Sequence, residues 1–326
     1  MNSIDRVFAN VQHQIISFSC MANDYLLTNT FELVKNAMEL VNWFFSPVFT
    51  VDLKGYSIQK EYKKMQDLPL AGGANGARFV LDKDGKKIGV FKPENLVPSL
   101  DQRIILVIKN LFGQVSFLRQ DSLRSSKTEL LAHAFDEFLD LPFTPGKSYL
   151  CQMGDVVGLY QQFVSGVEAK GSDWLEKEVY EEAEVEIFQR FVVFDFLLGN
   201  FDRHLENWLV RVENGTLVGI TAIDNEKSFP VANPLWIPFT NQYAWSRLSI
   251  AERPLTENIK TWVRDIAQCD VDSFVNKVEE NPNLKGFVTK EMQSLLQKRF
   301  DLLAKVCLKT GFSPKDFANY RLASSF

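Results

Sequence analysis

One stretch of this chain restricts its fold more than any other. The run Asp195-Phe-Leu-Leu-Gly-Asn200-Phe-Asp202-Arg203-His204-Leu-Glu-Asn207-Trp208 sets Asp202 and Asn207 five residues apart, and Asp224, in Ile223-Asp224-Asn225, follows 17 residues after Asn207. The apolar run 208–223 is broken by Glu213-Asn214-Gly215 and reads as a hairpin that returns Asp224 to the neighbourhood of Asn207. Phosphoryl transfer needs such a set. One carboxylate orients the attacking hydroxyl or accepts its proton, while an amide oxygen and a second carboxylate hold the magnesium ions that bridge the nucleotide phosphates.

Two upstream elements fit the same chemistry. Ala71-Gly72-Gly73-Ala74-Asn75-Gly76-Ala77 precedes a predicted hairpin, Arg78 to Leu81 and Lys87 to Phe91, with Asp82-Lys83-Asp84-Gly85 at its turn and Lys92 at the end of its second strand. A turn containing Gly72, Gly73 and Asn75 lets backbone N–H groups approach phosphates, and a strand-borne Lys92 can neutralise them. The same residues also suit an ordinary hairpin, and no G-K-[ST] follows the glycines as a Walker A loop requires. Glu129 is expected to open a helix over 127–140 that Pro142 closes, with Ser125, Ser126 and Thr128 as candidate caps. It can pair with the nucleotide lysine or serve the helix dipole. His204 can polarise a transferring phosphate, assist the base or brace the loop.

The rest of the chain supplies the frame. Phe31, Val34, Met38, Val41 and Phe45 recur at helical spacing, so residues 4–46 read as two amphipathic helices ending at Ser46-Pro47. They would pack on a lobe or, helped by Trp43, Phe44 and Phe45, meet a membrane or partner. Strand texture begins near residue 67, returns from Leu150 to Phe163 around Gly154, and gives way after Gly166 to a mainly helical region. The acidic run Glu176 to Glu186 reads as a solvated helix face, and the 27 phenylalanines point to aromatic-rich packing. A net charge of −5 argues against non-specific nucleic-acid binding. Cys20, Cys151, Cys269 and Cys307 lie far apart and join only three histidines, which suggests neither a zinc site nor a disulfide framework and fits a reducing compartment. The greasiest stretch, Phe31 to Val51, carries Glu32, Lys35 and Glu39, too much charge to span a bilayer, so a soluble or peripheral protein is expected.

Taken in order, these elements resemble the phosphatidylinositol 3-/4-kinase family, and its type II 4-kinase branch in particular, from roughly residue 70 to 265. The resemblance is carried by the Gly-rich hairpin with Val90-Phe91-Lys92-Pro93, the Glu129 helix, the connector Gly158-Leu-Tyr-Gln-Gln-Phe163-Val-Ser-Gly166, Asp202-Arg203, and Asn207-Trp208-Leu209. Ala222-Ile223-Asp224-Asn225 with Phe229-Pro230 and the aromatic stretch to Trp245 complete it. It implies an α+β, bilobal, protein-kinase-like fold with a helical extension over 1–50, a small mixed N-lobe over 51–163 and a mainly helical C-lobe over 164–326. It implies that Lys92 holds the nucleotide phosphates with Glu129 orienting it, and that Asp202 is the catalytic aspartate, with Arg203 and His204 beside it. Asn207 and Asp224 become metal ligands, and backbone near Phe163 and Val164 meets adenine. The cofactors the resemblance implies are ATP and Mg2+ or Mn2+, and the acceptor it implies is the 4-hydroxyl of phosphatidylinositol.

The chain departs from the branch in two places. Type II members carry Asp-Arg-Gly where this chain has Asp202-Arg203-His204, as in the 3-kinase and type III branches. They also tend to carry a cysteine-rich palmitoylation segment, whereas residues 100–127 hold no cysteine but Arg103, Lys109, Arg119, Arg124 and Lys127 among apolar residues. Basic charge of that kind suits anionic lipid or another polyanion, or an ordinary exposed lobe helix. So compact a version suits a bacterial protein acting in a host cell, peripheral to its membranes. A protein Ser/Thr kinase is the first alternative, although His-Arg does not precede Asp202 and no Ala-Pro-Glu follows. Trp236, Ile237, Phe239, Tyr243 and Trp245 in its place suit a lipid interface or packing on the C-lobe. A non-catalytic scaffold is the second alternative, and it would have no need of Lys92, Asp202, Asn207 and Asp224 together.

Overall fold

The computed structural model describes residues 59–61, 64–69, 77–94, 124–153, 156–200, 202–230, 243–306 and 309–318. The helices expected over 4–46, the glycine-rich segment 71–76, most of the basic insert and the centre of the aromatic stretch lie outside the described residues.

Six strands make the first sheet: β1 (Gln59–Glu61), β2 (Lys64–Pro69), β3 (Arg78–Leu81), β4 (Lys87–Pro93), β5 (Ser148–Met153) and β6 (Val156–Gln162). Their order is β1-β5-β6-β4-β3-β2, all antiparallel except the β1–β5 pair. The expected hairpin is β3–β4, with Arg78 opposite Phe91. Its turn forms as the sequence suggests, because the Asp82 carboxylate accepts the N–H groups of Asp84 and Lys86 and Gly85 takes a positive φ of 80°. β1 and β2 begin earlier than the strand texture implied. The segment Lys64–Pro69 reads KMQDLP, without the β-branched alternation that marks a strand, and pairing with β3 overrides that weak preference.

Helix α1 (Arg124–Phe138) starts three residues before the expected helix. Glu129 therefore sits in its second turn and not at its mouth, and Ser125, Ser126 and Thr128 are helix residues rather than caps. Lys127, counted in the basic insert, is buried with its ammonium 5.5 Å from the Phe287 ring centroid, which takes it out of any lipid-facing set.

Beyond the connector, a two-residue strand β7 (Val167–Glu168) joins β8 (Trp208–Glu213) and β9 (Thr216–Ala222) in a second sheet. Trp208 pairs with Ala222, so the expected hairpin does bring 207 and 223 side by side. Helices α2 (Glu182–Leu198), α3 (Glu257–Ile266), α4 (Val271–Glu279), α5 (Lys290–Val306) and α6 (Pro314–Phe317) complete an α+β, kinase-like fold. Thr256 caps α3 through Ile259 N–H, and Asp270 caps α4 through the N–H groups of Asp272 and Ser273.

The phenylalanines build the core that fixes α1. Phe135 is fully buried, and its ring lies 5.0 Å from that of Phe274 on α4, 5.8 Å from Phe229, 6.1 Å from Phe300 on α5 and 6.4 Å from Phe194 on α2. Three of these contacts are edge-to-face and the one with Phe194 is stacked, and such pairs add to the burial of each ring.

The acidic run 176–186 is not a uniform solvated helix. α2 begins only at Glu182, and Glu184 turns inward, fully buried. Burial would raise its pKa, yet it accepts from Leu217 N–H at 2.8 Å, Lys177 Nζ at 2.9 Å, Glu181 N–H at 2.9 Å and Trp174 Nε1 at 2.8 Å. Together these hold the carboxyl down at about 2. A depressed folded-state pKa contributes stability that is present above the ordinary value of 4.5 and lost as pH falls toward 2. Glu184→Gln is expected to cost about 2–3 kcal/mol at pH 7, since the amide cannot accept from four donors. Urea midpoints at pH 7 and pH 3 check this: the gap between variant and wild type should narrow at pH 3. An equal gap at both values would remove the charge argument.

Candidate active site

Strand β4 and helix α1 bring the first pair together. Lys92 Nζ lies 2.5 Å from Glu129 Oε1 and 3.3 Å from Asp224 Oδ1. Burial would lower the ammonium's pKa, but Glu129, Asp224 and Glu226 outweigh it and hold the group above the ordinary lysine value. The second Glu129 oxygen accepts from Gln161 Nε2 and Asn225 Nδ2, each at 3.4 Å. Residues 37 and 132 apart in sequence from Lys92 thus converge on one charge.

The loop after α2 carries the next group. Gly199 ends the helix in the left-handed conformation, φ 60°, and a Cβ there would run into the Arg299 guanidinium, so the turn needs glycine. Asn200 follows, buried, and spans two loops: its Oδ1 accepts Asp202 N–H at 2.9 Å and its Nδ2 donates to the Asp224 carbonyl at 3.3 Å. Asp224 itself adopts φ 57°, a left-handed geometry rare outside glycine and a mark of a site held by its surroundings.

Asp202 is partly exposed, and among the described residues its carboxylate has no hydrogen-bond partner. Burial raises its pKa, with Asp224 and Glu226 adding to the rise and His204 and Lys227 opposing it. Asp224 goes the other way: burial would raise it, but Lys92, Lys227 and Arg203 pull it below the ordinary carboxylate value. Two neighbouring carboxylates with pKa values pushed apart are the pattern of divided roles. Asn207 donates its Nδ2 to the Asp202 carbonyl at 2.9 Å, which leaves its amide oxygen for a ligand, and its own carbonyl accepts Ile223 N–H at 3.0 Å.

Arg203 does not face the cleft. It is 2% exposed and spends its donors inward, Nε on Asp195 Oδ1 at 2.9 Å, Nη2 on Asn225 Oδ1 at 2.5 Å, and Nη1 on the carbonyls of Ile223, at 2.7 Å, and Asn207. The other Asp195 oxygen accepts Trp245 Nε1 at 2.9 Å. Burial raises Asp195, against the pull of Arg203 and Trp245. Trp245 is fully buried and stacks on the half-buried Tyr243 at 4.6 Å, so these two rings of the aromatic stretch pack against the fold; Trp236, Ile237 and Phe239 lie outside the described residues. His204 is the exposed member of its triplet, 48% open, with Nδ1 accepting Glu206 N–H at 3.3 Å.

In the connector, Phe163 N–H donates to the Ile88 carbonyl at 3.0 Å and extends the β4–β6 ladder by one residue. Among the described residues Val164 N–H makes no such bond. Gly72, Gly73 and Asn75 lie outside the described residues. Four residues the motif reading left without a role, Asp195, Asn200, Asn225 and Gln161, prove to tie the others together. All four stood inside the quoted runs, but only partner geometry distinguishes a carboxylate that holds an arginine from one that faces solvent.

The phosphatidylinositol 3- and 4-kinase family matches residues 77–243, just over half of the chain and the stretch that holds every described group above except Trp245 and Arg299. The chain belongs to this family. Among curated proteins, this family member is similar to the phosphatidylinositol 4-kinase type 2-beta of Gallus gallus, 26% identical with 75% of this chain and 65% of that protein covered. It is also similar to the type 2-alpha enzyme of Danio rerio at 25% identity, covering 64% and 60%, and to the type 2-beta of the same species at 25%, covering 54% and 48%. The chain spans about half to two thirds of the length of these relatives.

The donor set suits a small hard cation. An amide oxygen and one ionised carboxylate are the partial oxygen shell that magnesium accepts when nucleotide phosphates supply the remainder. Among the described residues no cluster of three or more His, Cys, Asp or Glu side chains could hold a metal unaided.

Proposed function

We propose that this chain transfers the γ-phosphate of ATP to phosphatidylinositol, at the inositol 4-hydroxyl. The observation that carries the reading is the convergence of Lys92, Glu129 and Asp224 at 2.5 and 3.3 Å beside Asp202, whose carboxylate has no hydrogen-bond partner among the described residues. Family membership supports phosphoryl transfer, and the names of the similar proteins support the lipid and the position.

Each residue has a task in this reading. Lys92, held charged and aimed by Glu129, neutralises nucleotide phosphates. Asn207 and Asp224 would hold magnesium or manganese, which when bound screens the phosphate charge. Asp202, with its raised pKa, orients the acceptor hydroxyl and takes its proton. His204 stands at the exposed edge, suited to the incoming phosphate. Arg203 acts as a positioning residue, since it ties Asp195 on α2 to the loops that carry Asn207 and Asp224. The N–H of Phe163 is already used, which leaves Val164 N–H for the adenine edge, while Gly72, Gly73 and Asn75 cover the phosphates. The division into an N-lobe to 163 and a C-lobe from 164 belongs to the same reading, as does a peripheral place at the membrane. No helix among the described residues is long and apolar enough to cross a bilayer.

The test offers radiolabelled ATP with magnesium or manganese to phosphatidylinositol liposomes and to a generic protein acceptor side by side. Label in the lipid, lost in Asp202→Ala, is the expected result, with the ring position then read from the product. Label in protein alone would move the acceptor to the protein-kinase alternative. Label in neither, with the nucleotide bound, would overturn the assignment.

A further inference from the structure

A second cleft lies at the connector end of the first sheet, away from the catalytic groups. It has a volume of about 1160 Å3, just above the range of about 300–1,000 Å3 common for small-molecule sites. Lys86 and Lys87 at the start of β4, Lys147 just before β5, and Ser148, His133 and Glu137 are among its lining residues. It includes none of Lys92, Glu129, Asn207 and Asp224, and takes Tyr160, Gln162, Phe163 and Ser165 from the connector.

The strand ladder explains why the lysines meet. β4 and β5 both pair with β6, Gly89 opposite Gln162 and Ser148 opposite Gln161, and Gln162 N–H donates to the Lys147 carbonyl at 2.8 Å. The leading residues of both strands are therefore gathered at one end of β6. Among the described residues none of Lys86, Lys87 and Lys147 is paired with a carboxylate; Lys87 lies 3.8 Å from the Phe79 ring centroid. The single acid of the lining, Glu137, stands 3.6 Å from His133 Nε2. Ser148 Oγ is buried without a hydrogen-bond partner among the described residues. Gln162, Ser165 and Asn281 add neutral donors, and the stacked rings of Tyr149 and Tyr160, 4.8 Å apart, form an apolar wall.

Three ammonium groups with no carboxylate partner among the described residues, gathered at the leading ends of two strands beside hydroxyl and amide donors, match a compact multiple anion. With no arginine fork among the described lining residues, tetrahedral phosphate fits better than planar carboxylate. We propose that this cleft binds a small ligand or headgroup carrying several phosphate groups, at a site separate from the Lys92–Asp224 cleft. One wall is the face of α1 that bears Leu130, His133 and Ala134, so an occupant would lie against the helix that carries Glu129.

Calorimetric titration of the full chain with inorganic tripolyphosphate, free of divalent cations, tests this. Flotation with phosphatidylinositol bisphosphate vesicles against plain phosphatidylcholine vesicles forms the second arm. Saturable binding of about one equivalent is expected in at least one arm, weakening as salt is raised. Lys86→Glu with Lys147→Glu should reduce it about tenfold or more, which is 1.4 kcal/mol, at an unchanged melting temperature, because both side chains are exposed. Lys92→Ala should leave it intact. Dependence on Lys86 and Lys147 for tripolyphosphate assigns a soluble ligand, and for vesicles alone a lipid headgroup. Binding in neither arm, or binding that Lys92→Ala abolishes and the double variant retains, overturns the proposal. Neither result depends on phosphotransfer.

Discussion

Asp202→Asn should lower phosphotransfer by about 10²–10⁴-fold, the usual contribution of a positioned proton acceptor, while the melting temperature stays at the wild-type value. The separation of the two effects follows from how the residue is held. Its N–H is anchored on Asn200 and its carbonyl receives Asn207 Nδ2, so the loop is secured through the backbone. The carboxylate makes no hydrogen bond among the described residues, and replacing it by an amide removes no contact. Because burial raises the carboxyl's pKa, the acid limb of kcat/KM in the wild type should lie above the ordinary carboxylate range, and activity should fall as pH drops through it. A variant that kept more than about a tenth of the wild-type rate would sink the assignment of the proton acceptor.

Arg203→Leu is expected to act in the opposite order, through stability first. Arg203 and Asp195 are a fully buried ion pair, and removing one partner of such a pair costs about 3–5 kcal/mol because the other charge is left uncompensated. For a chain of this size the melting temperature should fall by roughly 4–7 °C. Activity should fall with it, since the guanidinium also holds the carbonyls of Asn207 and Ile223 and the amide of Asn225. Arg203→Lys should recover little, because a single ammonium cannot reach four acceptors set in a planar fork. Calorimetry of both variants beside Asp202→Asn checks the contrast. If Arg203→Leu melted with the wild type while losing activity, Arg203 would be a residue of the chemistry and not of the frame.

The contrast marks where sequence reading succeeds. Asp202, Asn207 and Asp224 were legible because their spacing reports a loop and a hairpin, and hairpin chemistry is local: Asn214-Gly215 and Asp82 to Gly85 announce their turns. Lys92 and Glu129 were legible by type, although the start of α1 was misplaced by three residues because the Ser125, Ser126 and Thr128 hydroxyls look like caps. Glu184 and Lys127 were misread for a single reason: a charged residue in a charged run is normally solvated, and both are buried by partners far away in sequence, Leu217 for one and Phe287 for the other. The same distance hid Asp195 and Asn225. A tertiary hydrogen bond leaves no periodicity to detect.

The phenylalanine cluster around Phe135 has a consequence for control. In a two-state switch, a helix bearing one half of an ion pair must be able to leave and return. Here the helix that presents Glu129 is nailed through Phe135 to rings on three other helices, and emptying that ring's place would cost about 3–5 kcal/mol, the order of a phenylalanine truncation in a core. Among the described residues Lys92 and Glu129 are thus held engaged at rest. On the proposed function, output would then follow supply: where the chain is placed and what reaches its open side.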